Sequence, residues 1–201
     1  MLVIGLTGSL STGKSTVAKM FKNLGAVVLD ADKEVHQLWS LKGKNILRIK
    51  KILGPSTINK GGVNKKKIAQ IIFKNKSKRR QLEKILHAQV KKSFAEKIRL
   101  LKRTKRTNMI VLDVPLLFES GMDKMADVTL VVTAGRELQI QRSMKKMGIS
   151  RQETLRRIQA QMPLGEKIKL ADFVIDNQSS KIMTQRKVSK IWHALQRKQK
   201  R

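Results

Sequence analysis

The sequence predicts an α/β fold in which a doubly wound, parallel five-stranded sheet is covered by helices on both faces. Five short apolar runs predict the strands: Leu2–Leu6, Ala26–Leu29, Met109–Asp113, Val128–Val132 and Phe173–Ile175. Runs that are largely apolar, rather than alternating, suit a sheet buried on both sides. The stretches between them carry apolar residues at helical spacing, the strand-helix alternation from which parallel sheets are built. At 201 residues with 40% hydrophobic content, the chain is long enough for one domain with a sizeable core and a small inserted subdomain.

The first run, with Val3, Ile4 and Leu6 as its buried positions, leads into Gly8-Ser9-Leu10-Ser11-Thr12-Gly13-Lys14-Ser15, a G-x-x-x-x-G-K-S loop. Val17, Met20, Phe21 and Leu24 then follow at i, i+3, i+4 and i+7, so strand, loop and helix come in the order of a P-loop NTPase-type domain. The glycines let successive backbone N–H groups turn onto an anion. Lys14 reaches the outer phosphates, and Ser15 offers its hydroxyl to Mg²⁺. A nucleoside triphosphate needs all three features, and the helix N-terminus adds its partial positive charge. Gly8, Ser11, Thr12, Gly13, Lys14, Ser15 and Thr16 are accordingly the expected ATP cradle. The alternative, a turn that binds nothing, does not account for the flanking elements.

The second strand ends in Asp30-Ala31-Asp32, and Val35, Leu38 and Trp39 open another helical stripe. Ile46, Ile49 and Leu53 repeat the pattern, Gly54-Pro55 and Gly61-Gly62 mark a loop, and a helix edged by Ile68 and Ile72 starts near Asn64. Asn75 to Lys78 reads as a break, followed by a long amphipathic helix carrying Leu82, Ile85, Leu86, Val90, Phe94, Ile98 and Leu101, and then a charged connector from Lys102 to Thr107. Met109 to Asp113 is an apolar strand closed by a carboxylate, the way a central strand presents an acid to Mg²⁺. Helices are expected over Arg136–Met147 and Arg151–Met162, and the last one holds Val188, Ile191, Trp192 and Leu195.

In a doubly wound sheet the loops after the strands line one rim, which gathers the P-loop, Asp30, Asp32 and Asp113. Asp30 and Asp32 have a second reading as caps of the next helix. Two acids flanking one small residue need not share a direction, so one can cap or bind metal while the other faces a substrate. On the Arg136 helix, Gln139, Arg142 and Lys146 share a face, opposite Ile140, Met144 and Met147. Arg142 either belongs to a solvated charge stripe or neutralises charge developing in a transition state. Met144, Met147 and Met162 read as packing residues.

The chain has 45 Lys+Arg against 14 Asp+Glu, a net charge of +31. About two dozen of the basic residues lie between Lys42 and Arg106, facing only Glu83 and Glu96, a clustering suited to attracting anions. Aromatics make up 3% and Tyr is absent, so no stacking platform for nucleic-acid bases is in view. A solvated basic surface that attracts polyphosphate substrates is the favoured reading, with nucleic-acid binding incidental. Without cysteine there is neither a disulfide nor a thiolate metal site. No run reaches the 18 or more apolar residues of a membrane span. A cytoplasmic protein, monomeric or weakly homo-oligomeric, is expected.

The chain resembles the dephospho-CoA kinase family over nearly its whole length. The resemblance is carried by Gly5-Leu6-Thr7-Gly8 with the P-loop, Leu29-Asp30-Ala31-Asp32, Leu82 to His87, Val111-Leu112-Asp113-Val114-Pro115-Leu116-Leu117-Phe118-Glu119, Gln141-Arg142, Ala160-Gln161 and Ala171-Asp172-Phe173-Val174-Ile175-Asp176-Asn177. It implies ATP-dependent phosphorylation of the ribose 3′-hydroxyl of dephospho-coenzyme A, with Mg²⁺ held at Ser15 and Asp113. It also implies a helical CoA-binding subdomain over residues 36–106 and a helical lid over 136–170. Asp32, Lys14 and Arg142 become the catalytic set: Asp32 takes the hydroxyl proton and Arg142 clamps from the lid. Thr7, Asp32, His87, Leu116 and Glu119 become the acceptor-binding set, although His87 by itself reads as a helix residue and Glu119 as the start of a loop. A nucleoside or nucleotide kinase of the same fold, or an ATP-switched nucleic-acid-binding protein, are the competing functions. The chain departs from the family at Leu10 and Ser11, which interrupt a Gly-rich loop, at Ala88 in place of proline, and at Lys65 and Lys146 in place of arginine. Lysine keeps the charge but loses the bidentate fork.

Overall fold

All five apolar runs become strands of one parallel sheet, in the spatial order Val27–Asp30, Met109–Asp113, Leu2–Gly8, Val128–Thr133 and Phe173–Asp176, in a computed structural model that describes residues 1–40, 44–59, 62–105 and 107–200. The strands are β1 (Leu2–Gly8), β2 (Val27–Asp30), β5 (Met109–Asp113), β6 (Val128–Thr133) and β7 (Phe173–Asp176). β1 lies centrally, with Leu6 beside Asp113 on one flank and Leu130 on the other. The chain leaves β1 first for the β2–β5 side and later for the β6–β7 side. That reversal opens a crevice beyond the carboxyl end of β1, where the P-loop begins.

The chain divides into two units, Met1–Asp30 with Ile98–Arg201, and Ala31–Lys97. In the first, α1 (Lys14–Asn23) and α9 (Lys181–Lys200) contribute Val17, Met20, Phe21, Val188, Trp192 and Leu195 to a core with Ile4, Leu6, Val111, Leu130 and Ile175. Phe21 and Trp192 meet with ring centroids 6.4 Å apart at 50°. Alternate strand residues Val3, Ile110, Leu112 and Val131 are also buried, as a sheet covered on both faces requires. This unit also holds α6 (Arg136–Met147), α7 (Arg151–Gln159) and α8 (Leu164–Leu170).

The second unit contains α2 (Ala31–Ser40), α3 (Lys44–Leu53), α4 (Lys65–Lys74) and most of α5 (Lys76–Thr104). Its core joins Ile49, Leu53, Ile68 and Leu82, with Ile58, Val63, Ile72 and Leu86 packed around them. Glu34 on α2 accepts hydrogen bonds from Ser93 and Lys97 on α5. Burial alone would raise the Glu34 pKa, but the hydrogen bonds from Lys97 and Ser93, with the Lys97 charge, hold it below the ordinary 4.5.

Several boundaries differ from expectation. The Gly54 to Gly62 loop contains a single 3-10 turn, Pro55–Thr57, and a two-stranded antiparallel ribbon, β3 (Ile58–Asn59) with β4 (Gly62–Val63), too short to show periodicity. The break at 75–78 is one residue wide: the Asn75 side chain accepts from Lys78 N at 3.0 Å, so α5 restarts at Lys76. The charged connector is partly helical, since α5 runs to Thr104 before Lys105 turns left-handed at φ 48°. The helix expected over Arg151–Met162 ends at Gln159, and Pro163 precedes the separate helix α8, which is too short to show a hydrophobic period. On α6 the buried residues are Gln139, Ile140 and Ser143, while Met144 is 44% exposed, so the expected packing face is rotated and Met144 is not a packing residue. Lys42, Gly61, Arg106 and the Trp39 side chain lie outside the described residues. Among the described residues no helix is long and apolar enough to cross a membrane.

Candidate active site

The P-loop closes because two of its residues have no side chain. A Cβ on Gly8 would lie 2.6 Å from Thr12 Oγ1 and 2.7 Å from the Val132 carbonyl oxygen. Gly13 sits at φ 92°, and a Cβ there would lie 1.9 Å from Asn177 Nδ2. Both contacts are closer than any substituted residue can accept, so the spacing of the two glycines is a packing requirement as well as a conformational one. Thr12 is fully buried and donates to the Ser9 carbonyl at 3.0 Å. Helix α1 starts at Lys14 with no side-chain cap on its N-terminus, which leaves its leading N–H groups directed at the loop's mouth.

Ser11 takes a left-handed backbone conformation, φ 56°, uncommon for a residue with a side chain. Its hydroxyl accepts from Ser143 on α6 at 2.7 Å. The departure from a Gly-rich loop is thus tied to the helix of the expected lid. Ser15 and Thr16 are exposed.

Lys14 is ion-paired with Asp113, at 13% and 5% side-chain exposure. Asp30 lies in register with Asp113 on the neighbouring strand, so three of the expected charged positions meet at one end of the sheet. Ser15 and Asp113 supply only oxygen donors, which suits a hard cation such as Mg²⁺. Among the described residues no cluster of three or more His, Cys, Asp or Glu could cage a metal. This donor set fits an ion that arrives with phosphate oxygens and retains water.

Arg142 donates from Nη2 to the Asn177 carbonyl at 3.0 Å, while its Nη1 is buried without a hydrogen-bond partner. Asn177 is 7% exposed and is a junction that sequence reasoning gave no role. Its Nδ2 donates to the Thr12 carbonyl at 2.8 Å, its Oδ1 accepts from Thr184 on α9 at 2.8 Å, and its backbone N–H donates to the Thr133 carbonyl at 2.9 Å. The signal available in sequence was a polar side chain immediately after an apolar strand.

Thr7 is fully buried and donates to the Pro115 carbonyl at 3.0 Å, so its hydroxyl is turned to the protein's own backbone. Leu116 is half-buried in the segment after β5. The Glu119 side chain, 21% exposed, pairs with Lys167 Nζ at 2.9 Å and accepts from Met162 N at 3.0 Å. Lys167 itself is 0% exposed and also escaped the sequence reading. Burial lowers its pKa, the hydrogen bond and charge of Glu119 raise it, and the charge of Lys14 lowers it further, for a net downward shift.

Asp32 and His87 belong to the helical unit. Asp32 is exposed in the first turn of α2, two residues beyond the end of β2. His87 is half-buried on α5. The family-divergent Lys65 lies with its Nζ 3.0 Å from His36 Nδ1.

The model of the dephospho-CoA kinase family matches residues 2–182. A dephospho-CoA kinase of Aquifex aeolicus (strain VF5) is 41% identical over 196 residues, spanning 96% of this chain and 97% of its own. Among solved structures, a protein from Thermus thermophilus superposes with TM-score 0.81 at 30% identity, covering 98% of this chain and 97% of its own. A dephospho-CoA kinase from Campylobacter jejuni superposes with TM-score 0.72 at 26% identity, covering 96% of each chain.

Proposed function

The chain belongs to the dephospho-CoA kinase family, and from that premise we propose how its own residues perform the reaction. The activity is ATP-dependent phosphorylation of the ribose 3′-hydroxyl of dephospho-coenzyme A, giving coenzyme A in the last step of its biosynthesis. The acceptor oxygen forms a bond to the γ-phosphorus, the bond from that phosphorus to the β,γ-bridging oxygen breaks, and ADP leaves.

In this reading the P-loop amides and the α1 N-terminus hold the β- and γ-phosphates. Lys14 moves from Asp113 to the phosphate oxygens as they arrive. Ser15 and Asp113 would hold Mg²⁺, which would supply neutralisation of phosphate charge there. Arg142 turns its unpaired Nη1 toward the triphosphate and offsets the charge that develops on the transferred group. Asp32 accepts the proton of the 3′-hydroxyl. Leu116 and Glu119 meet the acceptor from the segment after β5, and residues 36–106, with His87, form the CoA-binding subdomain. Residues 136–170 act as the lid. The high positive charge of the helical segments draws in two polyphosphate substrates.

The single observation that carries this reading is the Lys14–Asp113 pair at the mouth of the glycine loop. It holds the P-loop lysine on a carboxylate partner that Lys14 would exchange for a phosphate oxygen when ATP binds. The experiment is an acceptor panel: purified protein is given Mg·ATP with dephospho-CoA, nucleosides or nucleoside monophosphates, and both ADP and product are measured. ADP release that requires dephospho-CoA and matches CoA formed is the expected outcome. Equal turnover of a nucleoside monophosphate would contradict the acceptor assignment.

A further inference from the structure

Lys167 is the one buried lysine or arginine among the described residues, at 0% exposure, on a short helix whose other charged residues, Glu166 and Lys169, are open to solvent. Its ammonium donates to the Pro115 carbonyl at 2.8 Å and pairs with Glu119 at 2.9 Å. Both partners lie in the segment that follows β5, one at each end of the run from Pro115 to Glu119. The same carbonyl accepts from Thr7 at the end of β1, and the same carboxylate oxygen accepts from Met162 N, just ahead of α8. One side chain therefore fastens the whole segment, two residues beyond the aspartate that holds Lys14.

Stability alone gives no reason for a charge here. A buried ion pair is often no better for folding than an apolar residue of similar volume, because desolvation offsets the attraction. What an ammonium adds over a thioether is direction: two charge-assisted hydrogen bonds that fix where the Pro115 carbonyl and the Glu119 carboxylate lie. We propose that Lys167 is a positioning residue for phosphoryl transfer, holding the Pro115–Glu119 segment in the single conformation that the acceptor meets. This rests on the reading above in which Leu116 and Glu119 face dephospho-CoA.

The test is steady-state kinetics with each substrate varied in turn, together with thermal unfolding. Lys167→Met should lower kcat/KM for dephospho-CoA by about 10- to 100-fold, the effect of losing one or two charged hydrogen bonds, while KM for ATP changes by less than about 3-fold. Combined with Glu119→Gln it should be far less than multiplicative, because the two act as a unit. Lys167→Arg, which keeps the charge, should recover part of the loss. Leu116→Ser reports separately on whether the segment faces the acceptor. If Leu116→Ser raises the acceptor KM but Lys167→Met does not, the positioning role is wrong and the acceptor reading stands. If neither changes it, both are wrong. Loss of ATP and acceptor parameters together, in proportion to lost folded protein, would make Lys167 purely structural and overturn the proposal. Should Lys167→Met fail to fold, Glu119→Gln and Lys167→Arg, compared as singles and as a double, give the same non-additivity readout.

Discussion

The phosphate end of the sheet and the helical unit spanning residues 31–97 are built by different means. At the phosphate end, position is set by backbone and by buried neutral or paired groups: Gly8 and Gly13 with no room for a Cβ, Asn177 bonded to four partners, and Lys14 on Asp113. In the helical unit, position is set by a modest apolar core and by side-chain links such as Lys97 and Ser93 on Glu34, with Lys97 41% exposed. The first construction tolerates almost no substitution because each contact is a close approach. The second relies more on solvated charges, which individually contribute less to holding it together.

Substitutions should separate the two regions, beginning with the largest effect. Lys14→Ala should reduce kcat/KM for ATP by about 1,000-fold, the loss of one direct electrostatic partner of the phosphates. An effect below about 10-fold would mean that the loop's amides suffice. Gly13→Ala forces a side chain onto Asn177 at a left-handed φ and should cost about 2 kcal/mol or more of stability, read as a lower unfolding midpoint, with weakened ATP binding by calorimetry.

Acid sensitivity sharpens the comparison. The Glu34 pKa is held below 4.5 in the folded chain, so its contribution is fully present above that value and is lost as pH falls through the depressed pKa. Asp172 behaves likewise in the sheet unit. The backbone and hydroxyl of Thr129 hold its carboxyl below the ordinary 3.8. Glu34→Gln should therefore flatten the loss of stability below about pH 4.5 without changing KM for ATP, as followed by denaturant titrations across pH. A shift in ATP affinity would dissolve the distinction between the regions. The smallest effect belongs to Ser143→Ala. It removes the hydrogen bond to Ser11 and should cost about 1 kcal/mol, with kcat falling by no more than a few-fold.

The same contrast explains what was legible in the sequence. The three central strands could be read almost residue by residue because a strand buried on both faces leaves a largely apolar run, and the P-loop because its chemistry is local. The α5 boundary at Lys76 hinged on one Asn side chain capping the helix, and Lys105 ended it where composition suggested an earlier stop. The β3–β4 ribbon and α8 were too short to leave a period. Asn177 and Lys167 were hidden for another reason. Their partners, Thr12 and Pro115, lie 165 and 52 residues away, and a buried lysine looks in sequence like any surface one. The exposed Met144 shows the reverse error, an apolar residue whose helix turns a different face inward.

The most direct test of the central claim is the kinetic behaviour of Asp32→Asn with dephospho-CoA and ATP. If the carboxylate on the first turn of α2 takes the 3′-hydroxyl proton, kcat should fall by about 100-fold or more while KM for ATP stays within about 3-fold of the unmodified protein. Turnover at the original rate would show that Asp32 is not the base, and that the chemistry is carried by the phosphate end alone.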